Sequence, residues 1–324
     1  MRAVSMALVA ICAVLGGCGG ERGSEWVRAD SKTTQTLESI HGSGPNDVWA
    51  VGRLGTLIHW DGTQWSGVDS GTNIDLHAVW AVGPKDAWAV GERGTVLHWD
   101  GTRWSRMALG IDNTLADVWA SGPGDVWIVA GSGERFFYGP LHFDGKVWSE
   151  RRFSDDSYDR PVHVWGSGPS DVWMIMGSSS KELMHWTGTG WTAVVPEVGS
   201  VPECLDAWGT GPSELWALCD MGFMEPVVLA KNASGWKLLP AIPSDDSLSF
   251  SSSLWNGLWG SGGKVWLVGD NGEVRHFDGS AWTQELRNDP DAPHLKAIWG
   301  SSESDLWAVG ADGVVVRRTP PSSP

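Results

Sequence analysis

The chain has 324 residues, 41% of them hydrophobic, enough apolar material for a sizeable core in one domain or two. Its formal net charge of −16 excludes the cationic field that nucleic acid or a bare anionic bilayer requires of a partner. Glycine and proline are abundant (43 and 17), but they fall at the ends of apolar segments, so they read as turn chemistry rather than as disorder.

Residues 1–17 read as a secretory signal. Arg2 is followed by an apolar run from Ala3 to Leu15, too short to span a bilayer as a stable anchor. The run ends in Leu15-Gly16-Gly17-Cys18, which resembles the bacterial lipobox. That resemblance implies cleavage before Cys18 and lipid on its thiol and amine. With Gly19 rather than Asp in the next position, it further implies sorting to the outer membrane of a Gram-negative cell, facing the periplasm or the surface. Residues 18–23 would then be a lipidated N-terminus and short linker. Several acyl chains supply the lasting attachment that a single chain does not.

From residue 24 onward one unit recurs. In its clearest copy, Val79 to Trp104, an apolar segment ends at Trp80 and a Gly-Pro turn leads to Asp86. A second segment holds Trp88, a third runs from Thr95 to Trp99, and Asp100-Gly101 introduces Trp104. Of the 24 tryptophans, 22 fall into four registers of this unit, so their return measures the period. The second-segment register alone gives Trp49, Trp88, Trp127, Trp173, Trp216, Trp266 and Trp307. The first-segment register gives Trp80, Trp119, Trp165, Trp208, Trp259 and Trp299, with His41 in the first copy. Four short strands in 40 to 50 residues make one propeller blade. The expectation is an all-β, seven-bladed propeller of antiparallel four-stranded blades over 24–319, with 320–324 a disordered tail. The seventh copy lacks a fourth strand, and Gly23-Ser24-Glu25-Trp26 has the form of Gly62-Thr63-Gln64-Trp65. The N-terminal strand is therefore expected to close the last blade, which removes an open sheet edge.

Along the ring the irregularities fall in one class of connection. Blade three carries an insertion between its second and third strands, with Phe136, Phe137 and Tyr138. It is followed by a charged connection with Arg151, Arg152, Phe153 and Tyr158. Blade five has a longer 220–226 turn, and a long linker, 237–253, follows it. Second-to-third turns and blade-to-blade connections open on one face of the disc; the other face repeats near-identical Gly-Pro and Asp-Gly turns. Binding concentrates on loops held by a rigid scaffold. The seven residues Phe136, Phe137, Tyr138, Arg151, Arg152, Phe153 and Tyr158 are therefore the expected ligand contacts, the aromatics stacking and the arginines pairing.

Three further groups bear on chemistry. Asp117, His163 and Asp206 share one register of adjacent first strands, two residues before Trp119, Trp165 and Trp208, and are expected to meet in the central channel. A carboxylate pair beside an imidazole can bind a cation or handle a proton, or simply hold water. The repeated His59, His98, His142, His185 and His276 lie in separate blades, too far apart for one metal ion, and are expected to bond within each blade. The aspartates after the Pro turns, such as Asp47 and Asp86, are expected to accept backbone N–H groups of the turn. Neither metal nor cofactor is expected; the Asp-Gly turns do not have calcium-loop spacing. Cys204 and Cys219 stand opposite in the expected first hairpin of blade five, within disulfide reach in an exported protein.

The repeat G-S-G-P-x-D-V-W-A-V-G followed by G-T-x-x-H-W-D-G-x-x-W resembles repeats of exported lipoproteins of myxobacteria and related bacteria. More distantly it resembles the BNR or Asp-box propellers, although the spacing of Asp and Trp departs from their box. These resemblances imply surface binding without a defined ligand. The leading expectation is a monomeric, lipid-anchored, non-catalytic propeller that binds an envelope or extracellular protein, or a glycan, through the insertion face. A carbohydrate-active enzyme (glycoside hydrolase or lyase) acting on envelope or extracellular polysaccharide is the alternative, and would need a compact carboxylate pair with a raised pKa on that face. A structural part in envelope assembly is the third.

Overall fold

A computed structural model describes residues 25–131, 139–153, 161–177, 183–198, 203–220, 226–243, 255–287 and 289–319. They form seven four-stranded antiparallel sheets. In blade one the strands are Leu37–Gly44, Asp47–Gly52, Leu57–Trp60 and Trp65–Gly67, in that order from axis to rim. The other first strands are Leu76–Gly83, Leu115–Gly122, Pro161–Gly168, Glu203–Gly211, Trp255–Ser261 and Leu295–Ser302. Each packs against the first strands of both neighbouring blades, and Leu295–Ser302 against Leu37–Gly44 closes the ring. Seven sheets around one axis follow directly from the tryptophan period.

The closure has the expected form. Glu25–Ala29 is the outer strand of the seventh blade, with Glu25 opposite Thr319 and Trp26 opposite Arg318. Trp26 donates its Nε1–H to Glu285 Oε2 of blade six at 2.7 Å. Arg318 donates to both oxygens of the same carboxylate at 3.0 Å each. Glu285 thus ties the two ends of the chain to the preceding blade.

The core is a relay of indoles between blades. Trp49 stacks on His59 of its own blade, with ring centroids 4.0 Å apart. Its remaining surface meets the next blade: Trp99 at 5.0 Å, and Trp104 edge-on at 5.2 Å and 86°. Trp127 repeats the pattern with His142, Trp186 and Trp191, and Trp88 with His98, Phe143 and Trp148. Where the third strand has a cation instead, the cation takes the aromatic's place. Lys231 lies over Trp173 and Arg318 over Trp266. A buried indole removes up to ~250 Å² from water, on the order of 5 kcal/mol as an upper bound at the usual area coefficient. Packing between blades is therefore a large term in the stability of the ring.

Four of the five histidines bond within their blades, while His276, in the blade where Lys264 replaces the aspartate, has its Nδ1 3.5 Å from Glu285 of the same blade. His59, His98, His142 and His185 bring Nε2 within 2.6–2.9 Å of Asp47, Asp86, Asp125 and Asp171. This corrects the reading of those aspartates as acceptors of turn N–H groups. Each opens a second strand two residues before the tryptophan that faces the histidine, on the same side of the sheet, so its carboxylate reaches the ring. There Asp47, Asp125 and Asp171 take the histidine ring on one oxygen and a serine hydroxyl of the turn on the other. The Asp-Gly turns are where backbone N–H groups converge: Asp61 Oδ1 accepts from Thr63 and Gln64. Blade five lacks the pair altogether, with Glu214 for the aspartate and Ala230 opposite Trp216. In blade seven Arg317 replaces the histidine, bonding Asp305 at 2.8 Å over Trp307.

The disulfide between Cys204 and Cys219 is formed, but the register that produces it is not the simple one expected. An uninterrupted hairpin with these cysteines opposed would set Trp208 against Leu215. Instead Trp208 opposes Trp216, and a one-residue shift between Cys204 and Asp206 brings the cysteines opposite each other. The same shift precedes the corresponding residue in the other first strands, for example between Leu37 and Ser39. It is a property of the blade, so the cysteines need no special geometry.

Candidate functional site

Strand direction decides which end of the axis is open. First strands begin on the face that carries blade-to-blade connections and second-to-third turns, and end at the Gly-Pro turns. Residues early in the first strands therefore line the channel at the insertion face. They enclose a cavity of about 160 Å³ bounded by residues such as Glu38, Ser39, His77, Asp117, His163 and Lys296.

The floor of this cavity is aromatic. Trp80 and Trp208, from blades two and five, meet across the axis with centroids 6.0 Å apart. His41 stacks on Trp80 at 3.8 Å and lies 5.8 Å from Trp208. The cavity is a cup closed by these rings, which answers why the first copy has histidine where the others have tryptophan. His41 is buried, and its Nδ1 accepts the Ala81 N–H at 3.1 Å. Burial pushes the imidazole down to about 3, against the opposing charge of Asp47, so the ring is neutral.

The wall holds the predicted triad, and the structure brings it together. His163 Nδ1 lies 3.3 Å from Asp117 Oδ2 and 4.0 Å from Asp206 Oδ1. Enclosure works against a charged imidazole, but Asp117, Asp206 and the Leu205 carbonyl outweigh it and raise His163 to about 9. Asp206 is raised to about 6, chiefly by loss of water, with the nearby Asp117 charge adding and His163 opposing. His163 is thus protonated at neutral pH, with carboxylates on two sides.

The carboxylates also join blades. Asp117 Oδ2 accepts the Val164 N–H of blade four at 2.9 Å, and Asp206 Oδ2 accepts the Leu258 N–H of blade six at 2.8 Å. Their other oxygens accept Val118 and Ala207 N–H groups. Ser39 does the same work, its Oγ accepting the Val79 N–H of blade two at 3.2 Å. One register thus supplies both the polar wall and a set of clamps between inner strands.

Around the mouth, one residue earlier on each strand, stand Glu38, His77, Asn256 and Lys296, which sequence reasoning did not single out. Lys296 pairs with Glu38 at 2.9 Å, and Asn256 bonds Asp270 and the Leu295 carbonyl. Shifting the repeat alignment that found Asp117 by one position finds them. Among the described residues no group of three or more His, Cys, Asp or Glu side chains is arranged to hold a metal ion.

The loop residues expected to contact ligand divide. Phe136, Phe137, Tyr138 and Tyr158 lie outside the described residues. Arg151 turns inward, its guanidinium 3.3–3.4 Å from His142 Nδ1, and Arg152 pairs with Glu150. Phe153 corrects the sequence reading: it is 6% exposed and packs edge-on against Trp191 at 5.2 Å. It stands five residues past Trp148, where Ser70 and Leu109 stand past Trp65 and Trp104. That position faces the gap between blades, and continuing the repeat alignment beyond the fourth strand would have shown it as core.

No family model and no curated protein sequence matches the chain. Solved structures do match in shape. The structure of YCF48 bound to D1 peptide shares 19% identity at a TM-score of 0.67, over 93% of this chain and 98% of that one. YCF48 from Cyanidioschyzon merolae shares 17% at 0.67, over 91% and 99%. Streptogramin B lyase shares 12% at 0.72, over 91% and 97%. At these identities the likeness is one of fold, and a propeller fold hosts unrelated functions.

Proposed function

We propose that this propeller is a lipid-anchored binding module that engages a protein or a glycan through its insertion face. One observation carries the reading: every elaboration of the repeat attaches to the face on which the cup opens, while the opposite face keeps short repeated turns. A rigid ring with one variable face is the form of a recognition scaffold. Its described polar wall is engaged in holding blades together, which suits a scaffold. YCF48 bound to D1 peptide is a precedent for a protein segment as partner of this architecture.

The carbohydrate-active alternative has one observation in its favour, the carboxyl of Asp206 raised to about 6 beside Asp117 and His163. Against it, each carboxylate already accepts backbone N–H groups on both oxygens, as a clamp does. Streptogramin B lyase shows that an enzyme can use this fold. The deciding experiment offers the full chain and a variant lacking residues 132–139 to envelope extract and to a glycan array. A partner retained by the first and lost by the second supports the binding reading. Equal retention by both removes blade three's insertion from it. Turnover of polysaccharide abolished by Asp206→Asn would replace binding by catalysis.

A further inference from the structure

The sheet order fixes where the chain enters the ring, and this bears on how an anchored propeller would be held. Glu25–Ala29 serves as the fourth strand of blade seven, and fourth strands run from the turn face to the insertion face. Accordingly Glu25 pairs with Thr319, the last residue of a third strand that begins at the 3-10 turn Ala311–Gly313. That turn is a second-to-third connection and lies on the insertion face. Glu25 is therefore at the turn face, on the rim of the disc, and Ala29 leads to the opposite side.

We infer that the turn face is the membrane-proximal side of the disc and that the insertion face, with its cup, is directed away from the bilayer. The inference rests on the proposed lipid at Cys18. Six residues lie between Cys18 and Glu25, and the seven Cα–Cα steps reach ~25 Å when fully extended. An eight-residue first strand such as Leu37–Gly44 already spans ~26 Å, before any loop is added. A tether that leaves the turn face and reaches no farther than the disc is thick keeps that face nearer the bilayer than the insertion face with its added loops.

Charge decides how closely the turn face approaches. Asp61, Asp100 and Asp278 stand exposed at its Asp-Gly turns. The N–H and hydroxyl groups of the residues that follow hold all three at about 2, so they remain ionised. Lys85, Arg103 and Lys146 stand exposed among the same turns, so the face carries charge of both signs and presents no cationic patch to an anionic leaflet. The disc is held by its lipid, leaving the cup open to a partner arriving from the aqueous side. That partner is a soluble chain or a polymer end, not a lipid headgroup.

The experiment places one fluorophore on blade one of the lipidated full-length chain, at Gln64→Cys on the turn face or Asn73→Cys on the insertion face. Both sites are exposed. Vesicles of zwitterionic and anionic lipid carry an energy acceptor in their headgroups. Flotation of each protein is compared with that of its Cys18→Ser counterpart. The expected result is flotation that requires Cys18, with transfer from Gln64 about twofold stronger than from Asn73 across the ~26 Å disc. Flotation through Cys18 with equal or stronger transfer from Asn73 overturns the orientation and leaves the anchor standing. A chain that fails to float, or floats as well without Cys18, overturns the anchor and the orientation with it.

Discussion

Nδ1 of His163 lies 3.3 Å from Asp117 Oδ2 across the boundary between blades four and three, and Val164 donates its N–H to the same oxygen. Protonation of this ring is therefore linked to the joining of blades. Folding raises His163 from 6.5 to about 9, so between those values the folded chain holds a proton that the unfolded chain has released. Its stabilising contribution is complete below about 6.5 and is lost as pH climbs through about 9. Asp206 has the same sign in a lower window: raised from 3.8 to about 6, it makes rising pH unfavourable across that interval. Thermal melts from pH 6.5 to 9.5 should show a falling Tm in the wild type and a flatter profile in His163→Gln. Parallel profiles would mean the imidazole is not linked to folding.

Glycines that follow the aromatic position of the first strand (His41, Trp165, Trp208) mark a second kind of inter-blade contact. A Cβ at Gly42, Gly166 or Gly209 would come within 2.6–2.7 Å of the indole of Trp299, Trp119 or Trp165, each from the preceding blade. Blades two and three carry Ala81 and Ala120 there: the first meets His41 in place of an indole, and the second meets Trp80, which is drawn to the axis by its stack on His41 and its contact with Trp208. Gly42→Ala, Gly166→Ala and Gly209→Ala should each cost about 1–3 kcal/mol by overpacking. Gly44, Gly168 and Gly211, two residues on, have open space at the Cβ position, and alanine there should be close to neutral. Denaturant titration of the six variants reads the contrast. Equal effects in both sets would place the cost in the backbone instead of the indole.

The ring, its seven blades and its closure were legible because a tryptophan every 39 to 50 residues reports the same packing position each time. The Asp117–His163–Asp206 meeting was legible for the same reason, since equal registers of first strands converge on one axis. What a period does not report is a side chain's direction within a connection. Phe153 looked available because aromatic loop residues usually are, yet it fills the inter-blade gap that smaller residues fill elsewhere. The bulge ahead of Asp206 was also hidden, because one shifted residue in each strand leaves the spacing of tryptophans unchanged. His41 was visible as an exception, but its reason was not, since rings crossing the axis come from blades far apart in sequence.

The disulfide offers a local test of the blade's own stability. Cys204 and Cys219 close a loop with a sequence separation of 15, for which chain entropy alone predicts about 3 kcal/mol. Both cysteines lie in the core shared with blade four, beside Ile175 and Ala217 in the same apolar cluster. Cys204→Ala with Cys219→Ala should lower Tm and make melting insensitive to reductant, whereas the wild type should lose a similar amount when reduced. A wild type whose Tm is unmoved by reductant would show that packing alone secures this hairpin.

Closure of the last blade adds one shared carboxylate to the pairing of the N-terminal strand with Val315–Thr319. Glu285 receives Trp26 Nε1–H at 2.7 Å and both Arg318 donors at 3.0 Å, and Arg318 lies over the Trp266 ring with only 13% of its side chain exposed. Glu285→Ala leaves that guanidinium buried without its anion and should cost about 3–5 kcal/mol. Trp26→Phe removes one charge-assisted hydrogen bond and should cost about 1.5–3 kcal/mol. In the Glu285→Ala background the same change should cost close to nothing, because the acceptor is already gone. Urea unfolding of the four chains in this cycle measures the coupling. Additive effects would show that Trp26 holds the last blade by packing and strand pairing, with no part played by the carboxylate.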